Sequence, residues 1–130
     1  MVGIGPFIPH RDTPFGAEKA GSQELTLFLL SLTRIMLPRV LLPSTTALGT
    51  VAADGRINGV LAGCNVVMPN LSPLSVRKKY MLYDNKAGTE ADAETGLLQL
   101  KKQMESIGRE VVTGRGDHAD YIKKEEAKND

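Results

Sequence analysis

The order of apolar segments predicts an α/β chain organised around a parallel sheet, and three observations carry that prediction. Short apolar runs at Val2–Ile8, Val40–Leu42 and Cys64–Met68 are too brief for helices and read as buried strands. The segments between and after them repeat their apolar residues at helical spacing. The resulting order, strand–helix–strand–helix–strand with a long first crossover, is that of βαβ units. At 130 residues and 42% hydrophobic, the chain fits one domain with a real core.

The first run, Val2–Ile8, is punctuated by Gly3, Gly5 and Pro6 and loosens toward Pro9. A Gly-, Pro- and charge-rich loop, His10–Gly21, follows. Ser22 is the expected N-cap of the first helix, with Glu24 favoured in its first turn by the helix dipole. Leu25, Phe28, Leu29, Leu32, Ile35 and Met36 recur along it until Pro38 ends it, pushing Leu37 toward extended geometry. Val40–Leu42 opens a second strand that continues through Pro43 into Ser44, Thr45 and Thr46 and closes near Gly49, so its tip is expected to carry hydroxyls. Asp54–Leu61 is expected to be a short helix, with Gly63 as its C-cap. Cys64–Met68 is the third strand, closed by Pro69. Ser72-Pro73 is an N-cap with proline at N1, opening a helix to about Leu82. Thr89-x-x-Asp92 resembles a capping box for a further helix marked by Leu97, Leu100, Met104 and Ile107 and ended by Gly108. Val111-Val112 adds a candidate small strand. The charged stretch beyond Gly114 is expected to be disordered.

Composition removes several function classes. Sixteen basic and fifteen acidic residues leave a net charge of +1, which offers no polyanion surface. Aromatic content of 5% with no tryptophan argues against base-stacking platforms, so no nucleic acid partner is expected. The N-terminal segment has no basic region and is broken by Pro6 and Pro9, unlike a signal peptide. No apolar run reaches the roughly 18 residues of a membrane span, so the expectation is a cytoplasmic protein with no membrane partner. Asn70-Leu-Ser72 spells a glycosylation sequon that has no meaning without secretion. One cysteine, Cys64, and two histidines cannot build a four-ligand metal site. Cys64, on an apolar strand, reads as a buried structural thiol rather than a nucleophile. His10, beside Arg11 and Asp12, reads as a solvated loop residue rather than a general base. Arg115-Gly-Asp117 spells an adhesion tripeptide, here in a charged tail.

Three stretches carry a family resemblance: Met1-Val-Gly-Ile-Gly-Pro-Phe-Ile-Pro-His-Arg-Asp-Thr-Pro14; Arg34-Ile-Met-Leu-Pro38 with Leu42-Pro-Ser-Thr-Thr-Ala-Leu-Gly-Thr50; and Ala62-Gly-Cys-Asn-Val-Val-Met-Pro-Asn70 with Tyr80-Met-Leu-Tyr83. In order and spacing they resemble strands six, seven and eight of the radical-SAM [FeFe]-hydrogenase H-cluster maturases of HydE type, within the wider biotin synthase and methylornithine synthase group. The resemblance runs from Met1 to about Gly116. It implies a partial (β/α) barrel of three parallel strands with helices, plus a C-terminal helical cap. The implied divisions are residues 1–83 as barrel, 84–114 as cap helix region and 115–130 as disordered tail. A complete (β/α)₈ barrel needs roughly 200–250 residues.

The family's chemistry uses S-adenosylmethionine on a [4Fe–4S] cluster held by a C-x₃-C-x₂-C loop. That motif is absent here, so the chain is expected to bind no cofactor and to be inactive alone. Some family members carry an accessory cluster on C-x₇-C-x₂-C; the matching positions are Gly88, Gly96 and Gln99, which cannot ligate iron. Biotin synthases resemble the chain less well, since an arginine expected on strand seven is replaced by Ser44-Thr45-Thr46. By resemblance, Pro6, Ile8, Thr45, Thr46 and Met68 lie at C-terminal strand ends, where barrel chemistry sits. Phe7 shares the first of those ends, and Tyr80 and Tyr83 come from a segment over the mouth. Threonine is equally an ordinary strand residue and methionine an ordinary core filler. The reading is a C-terminal fragment or split subunit forming part of a substrate cavity wall. Its expected partners are an N-terminal half-barrel chain or a further copy, with a small-molecule ligand in the assembled barrel. The alternatives are a non-catalytic module binding a small ligand or partner, and a fragment of a methylornithine synthase or biotin synthase-like enzyme.

Overall fold

A computed structural model describes residues 1–77, 79, 92–114, 116–118 and 121. In chain order its elements are α1 (Gln23–Met36), β1 (Pro43–Ser44), α2 (Thr46–Val51), α3 (Gly55–Leu61), β2 (Val66–Val67), α4 (Leu74–Arg77) and α5 (Ala93–Glu105). The fold is mixed α/β. Its sheet is a parallel pair in which Pro43 stands opposite Val66 and Ser44 opposite Val67. Helices α2 and α3 form the crossover, making a βαβ unit as the apolar pattern predicts.

Local signals set α1. Ser22 accepts a hydrogen bond from the Leu25 N–H at 3.2 Å, Glu24 occupies the first turn, and Leu37 leaves helical geometry before Pro38. Arg34 closes the helix from its side. Its Nε donates to the Gly63 carbonyl at 2.7 Å and its Nη1 to the Pro38 carbonyl at 2.8 Å. Gly63 itself has φ +117°, and a Cβ there would come within 2.8 Å of the Arg34 Cβ, so this turn both needs glycine's backbone range and receives the arginine stem.

The strands are shorter than their sequence suggests. Val2–Ile8 is not a strand: Val2 N–H donates to Leu41 O at 2.9 Å, but Pro6 has no donor to continue a ladder. The segment instead ties back through Gly21 N–H to Phe7 O at 2.7 Å. The described residues therefore hold two strands, not three, and Val111-Val112 adds none. β1 stops at Ser44 because Thr45 turns the chain into α2: its side chain accepts from the Leu48 N–H at 3.3 Å, an N-cap. Thr46 is thus the first residue of a helix and not part of a strand tip. α3 starts at Gly55 and ends at Leu61, with Ala62 as C-cap and Gly63 one residue beyond. The helix expected from Ser72 to Leu82 begins at Leu74 and is seen to Arg77; the remainder to Leu82 lies outside the described residues, apart from Lys79. Asp92 caps α5 by accepting from the Thr95 N–H at 2.7 Å; Thr89, its expected capping partner, lies outside the described residues. Most of the charged tail also lies outside them.

Leu30, Leu42, Leu48 and Cys64 form the buried core, flanked by Val2, Ile4, Leu27, Val40, Val60 and Ala62. Polar groups lock this core together. Leu42 N–H donates to the Asn65 side chain at 2.8 Å, and the buried Ser44 hydroxyl donates to the Arg56 carbonyl at 2.9 Å. On α5, Leu100 and Met104 are buried and the rest of the helix is largely polar.

Candidate functional site

The C-terminal end of the parallel pair collects part of the expected cavity set. By the Ser44–Val67 register, Thr45 and Met68 are the next residues along the two strands. Gly5 abuts this tip, since a Cβ on it would sit 2.9 Å from the Thr45 Oγ1. Pro6, next in the chain, is buried, whereas Ile8 is half-buried. Phe7 turns away to stack edge-on against Phe15, ring centroids 6.4 Å apart. Met68 is half exposed. Tyr80, Tyr83 and Gly88 lie outside the described residues.

Both threonine hydroxyls already accept a bond, Thr45 from Leu48 N–H and Thr46 from the Arg56 Nη2 at 3.2 Å. Thr45 and Thr46 can therefore each donate a hydroxyl proton to an acceptor group.

A cavity of about 180 Å³ opens between α3 and α5. Arg56, Asn70, Arg77, Asp92, Gln99 and Gln103 supply its polar groups, and Gly49, Ala53, Pro69 and Gly96 its small walls. Sequence reasoning missed this site. Nothing in the sequence marks Arg77 as buried, yet it is only 4% exposed, with Nε donating to Ser72 O at 2.7 Å and Nη2 to Asn70 O at 3.0 Å. Gly96 and Gln99, two of the positions matched to the accessory cluster, do come together here, on one face of α5. Neither offers a thiolate, and Cys64 sits in the core and not in this cavity. Among the described residues no three His, Cys, Asp or Glu side chains group as a metal site. The residues present do not suit an iron–sulfur cluster.

Burial pushes the Cys64 thiol up to about 11, with the Arg34 charge pulling weakly the other way. The thiol is therefore protonated at neutral pH and inert. Its contribution to stability is fully present below its ordinary value of 9.0 and is lost as the pH rises through about 11, because the unfolded chain ionises first. At pH 8 the folded chain is expected to resist iodoacetamide and to react fully once denatured; equal rates in both states would refute this. His10 is half-buried rather than solvated, and it organises its loop: its Nδ1 accepts from Asp12 N–H at 3.2 Å and its carbonyl from the Thr13 hydroxyl at 2.8 Å. Among the described residues no helix is long and apolar enough to cross a membrane.

No family model matches the chain. Over 109 residues it is 45% identical to the [FeFe] hydrogenase maturase subunit HydE of Thermotoga maritima, a match that takes in 84% of this chain and 31% of that protein. Identity at this level over most of a chain reflects common descent. The chain is therefore related to part of the [FeFe] hydrogenase maturase subunit HydE and spans about a third of that protein's length.

Proposed function

We propose that the chain is the C-terminal part of a HydE-like radical-SAM barrel and forms one wall of its substrate cavity. The observation that carries this reading is the 45% identity over 109 residues. The parallel βαβ unit and the hydroxyls gathered at its C-terminal tip support it. In this reading residues 1–83 belong to the barrel, 84–114 cap it and 115–130 form a tail. Pro6, Ile8, Thr45, Thr46 and Met68 face the cavity, with Tyr80 and Tyr83 over its mouth. S-adenosylmethionine and the [4Fe–4S] cluster are supplied by a complementary N-terminal half-barrel, because this chain has no cluster loop.

The test is to co-express the chain with the remaining portion of Thermotoga maritima HydE, reconstitute iron and sulfide, and measure 5′-deoxyadenosine released from S-adenosylmethionine. Stable complex formation with release above that of the N-terminal portion alone supports the reading; no complex, or no gain in release, overturns it. Reconstituted by itself, the chain is expected to take up no iron–sulfur cluster, and stoichiometric iron with sulfide would contradict that. Within the active complex, Thr46→Val is expected to lower release roughly tenfold, the scale of one lost ligand hydrogen bond; because it also removes the acceptor of the Arg56 Nη2 bond, Thr46→Ser, which keeps the hydroxyl, is its control and should retain release. Thr45→Val carries the added loss of the α2 N-cap, about 1 kcal/mol, so Thr45→Ser is its control.

A further inference from the structure

We propose that one flank of the molecule, made by the outer stripe of α1 and the outer edge of residues 2–8, is a docking surface for a strand–helix unit of a complementary chain. The incoming strand lies beside residues 2–5 and the incoming helix lies against α1. The identity of that chain rests on the barrel reading above; the place where it binds rests on the geometry of this flank.

Helix α1 is apolar on two opposite sides. Thr26 and Leu30 are buried on one of them, which it shares with Gln23 and Arg34. That side meets α3 and its ends: Gln23 Nε2 donates to Asp54 Oδ1 at 3.3 Å, and Arg34 Nε to the Gly63 carbonyl at 2.7 Å. Leu25, Phe28, Leu29, Leu32, Ile35 and Met36 are all exposed. At about 100° per residue they form a stripe about 120° wide, centred roughly half a turn from Gln23 and Arg34. The stripe therefore faces away from α3. A helix apolar on both sides is one that packs on both sides, and the described residues cover only one of them.

The sheet is open on the same flank. Asn65 and Val66 N–H donate to the Leu42 carbonyl on the β2 side of β1, whereas Val2 N–H donates to the preceding carbonyl, Leu41 O, which points the other way in an extended chain. Residues 2–8 thus lie along β1 opposite β2. With Val2 beside Leu41 and Gly5 beside Thr45, they run in the direction of β1. Their burial alternates, Val2 and Ile4 half-buried and Gly3 and Gly5 exposed, which is the period of a strand. The ladder stops after one bond because the next donor due from β1 is Pro43, which has no N–H. Gly3 and Gly5 turn their N–H groups outward, and among the described residues these find no partner. Since α1 crosses from residues 2–8 to β1 and α3 from β1 to β2, the side of α1 away from α3 is the side of this open edge.

An open strand edge beside an open helix flank has the form of one further parallel strand–helix step. The match to HydE takes in 31% of that protein, so the larger part of the relative lies outside it and can supply the step. A second copy seated on α1 alone fits less well. The helix has 14 residues, hence a face about 21 Å long and about 10 Å wide. That is a fraction of the roughly 800 Å² per partner that a stable interface buries, so the occupant has to extend over the strand edge as well.

The experiment co-expresses the full chain, tagged at its C-terminus, with the remaining portion of Thermotoga maritima HydE, and follows the purified complex by amide hydrogen exchange. Residues 3–8 are expected to exchange at least roughly tenfold more slowly in the complex than in the chain alone, the mark of a newly paired edge. Phe28→Lys with Ile35→Lys is expected to cut the co-purified portion at least roughly tenfold, since each buried apolar side chain contributes on that scale, with the helix content of the chain unchanged. Gly3→Pro is the second variant. It removes one outward N–H where a Cβ meets nothing within 4 Å, and it is expected to weaken the complex by up to about tenfold. A complex that releases 5′-deoxyadenosine yet leaves residues 3–8 exchanging freely, or that survives the double lysine change, overturns the docking proposal while the barrel reading stands. A chain that stays bound to further copies of itself in the presence of the HydE portion overturns it in favour of an interface between copies. No complex of any kind overturns both readings.

Discussion

Gly55→Ala is expected to lower the melting temperature of the chain by roughly 10 °C or more, a loss of about 2–3 kcal/mol at the usual scale for overpacked cores. The cause is the way α2 and α3 meet. A Cβ on Gly55 would run into the Leu48 carbonyl oxygen and come within 2.6 Å of the Leu48 carbonyl carbon and 3.2 Å of the Gly49 nitrogen. These are backbone atoms, which no rotamer change can clear. Relief requires the helix junction to open, and Leu48 is one of the four buried core residues. The gain in helix propensity, at most about 1 kcal/mol, is smaller than that cost. Gly96→Ala supplies the contrast, because its Cβ meets nothing within 4 Å. Circular-dichroism melts should show Gly55→Ala well below the parent and Gly96→Ala at or above it. Coincident melts for the two variants would remove the steric argument.

The second large effect is association. Leu25, Phe28, Leu29, Leu32, Ile35 and Met36 all remain exposed on α1, Phe28 at 62% and Ile35 at 77%. Burying one such side chain is worth about 1.5–3 kcal/mol, and apolar patches of this kind mark interaction surfaces. The purified chain alone is expected to self-associate at micromolar concentration. Phe28→Lys with Ile35→Lys should return it to a monomer with unchanged helix content. Light scattering that shows the parent as a compact monomer, with sharp cooperative unfolding, would refute this. The paired strands are two residues long and Leu42 is fully buried, whereas α1 carries six exposed large apolar side chains.

What was legible in the sequence follows the range of the forces involved. Ser22, Glu24 and Pro38 act within one helical turn, and they place α1 within a residue of where it lies. Gly63 and Gly108 mark turns through their own backbones, at φ +117° and +68°. Strand extent is decided by neighbours elsewhere in the chain, so three apolar runs became two short strands. Thr45 shows the ambiguity in one residue, for threonine suits both a strand and an N-cap, and the Leu48 N–H decides for the cap. Of the expected cavity set, Thr45 and Met68 each follow the last paired residue of a strand, Ser44 and Val67, a placement that the apolar runs foreshadow. The arginine-lined cavity was not, since its walls come from residues as far apart as Gly49 and Gln103 and its key feature is a buried arginine held by loop carbonyls.

In mechanical terms, Arg34 is a tie bar. One guanidinium grips the carbonyl of Pro38, just past the end of α1, and the carbonyl of Gly63, just before β2. Pulling α1 away from the sheet therefore loads the bond from Arg34 to the Gly63 carbonyl, which joins residues 29 apart along the chain. A body seated on the exposed apolar side of α1 would not peel that helix off as a flap. The load would pass through Arg34 into the turn that feeds β2, so that helix and strand shift together as one lever.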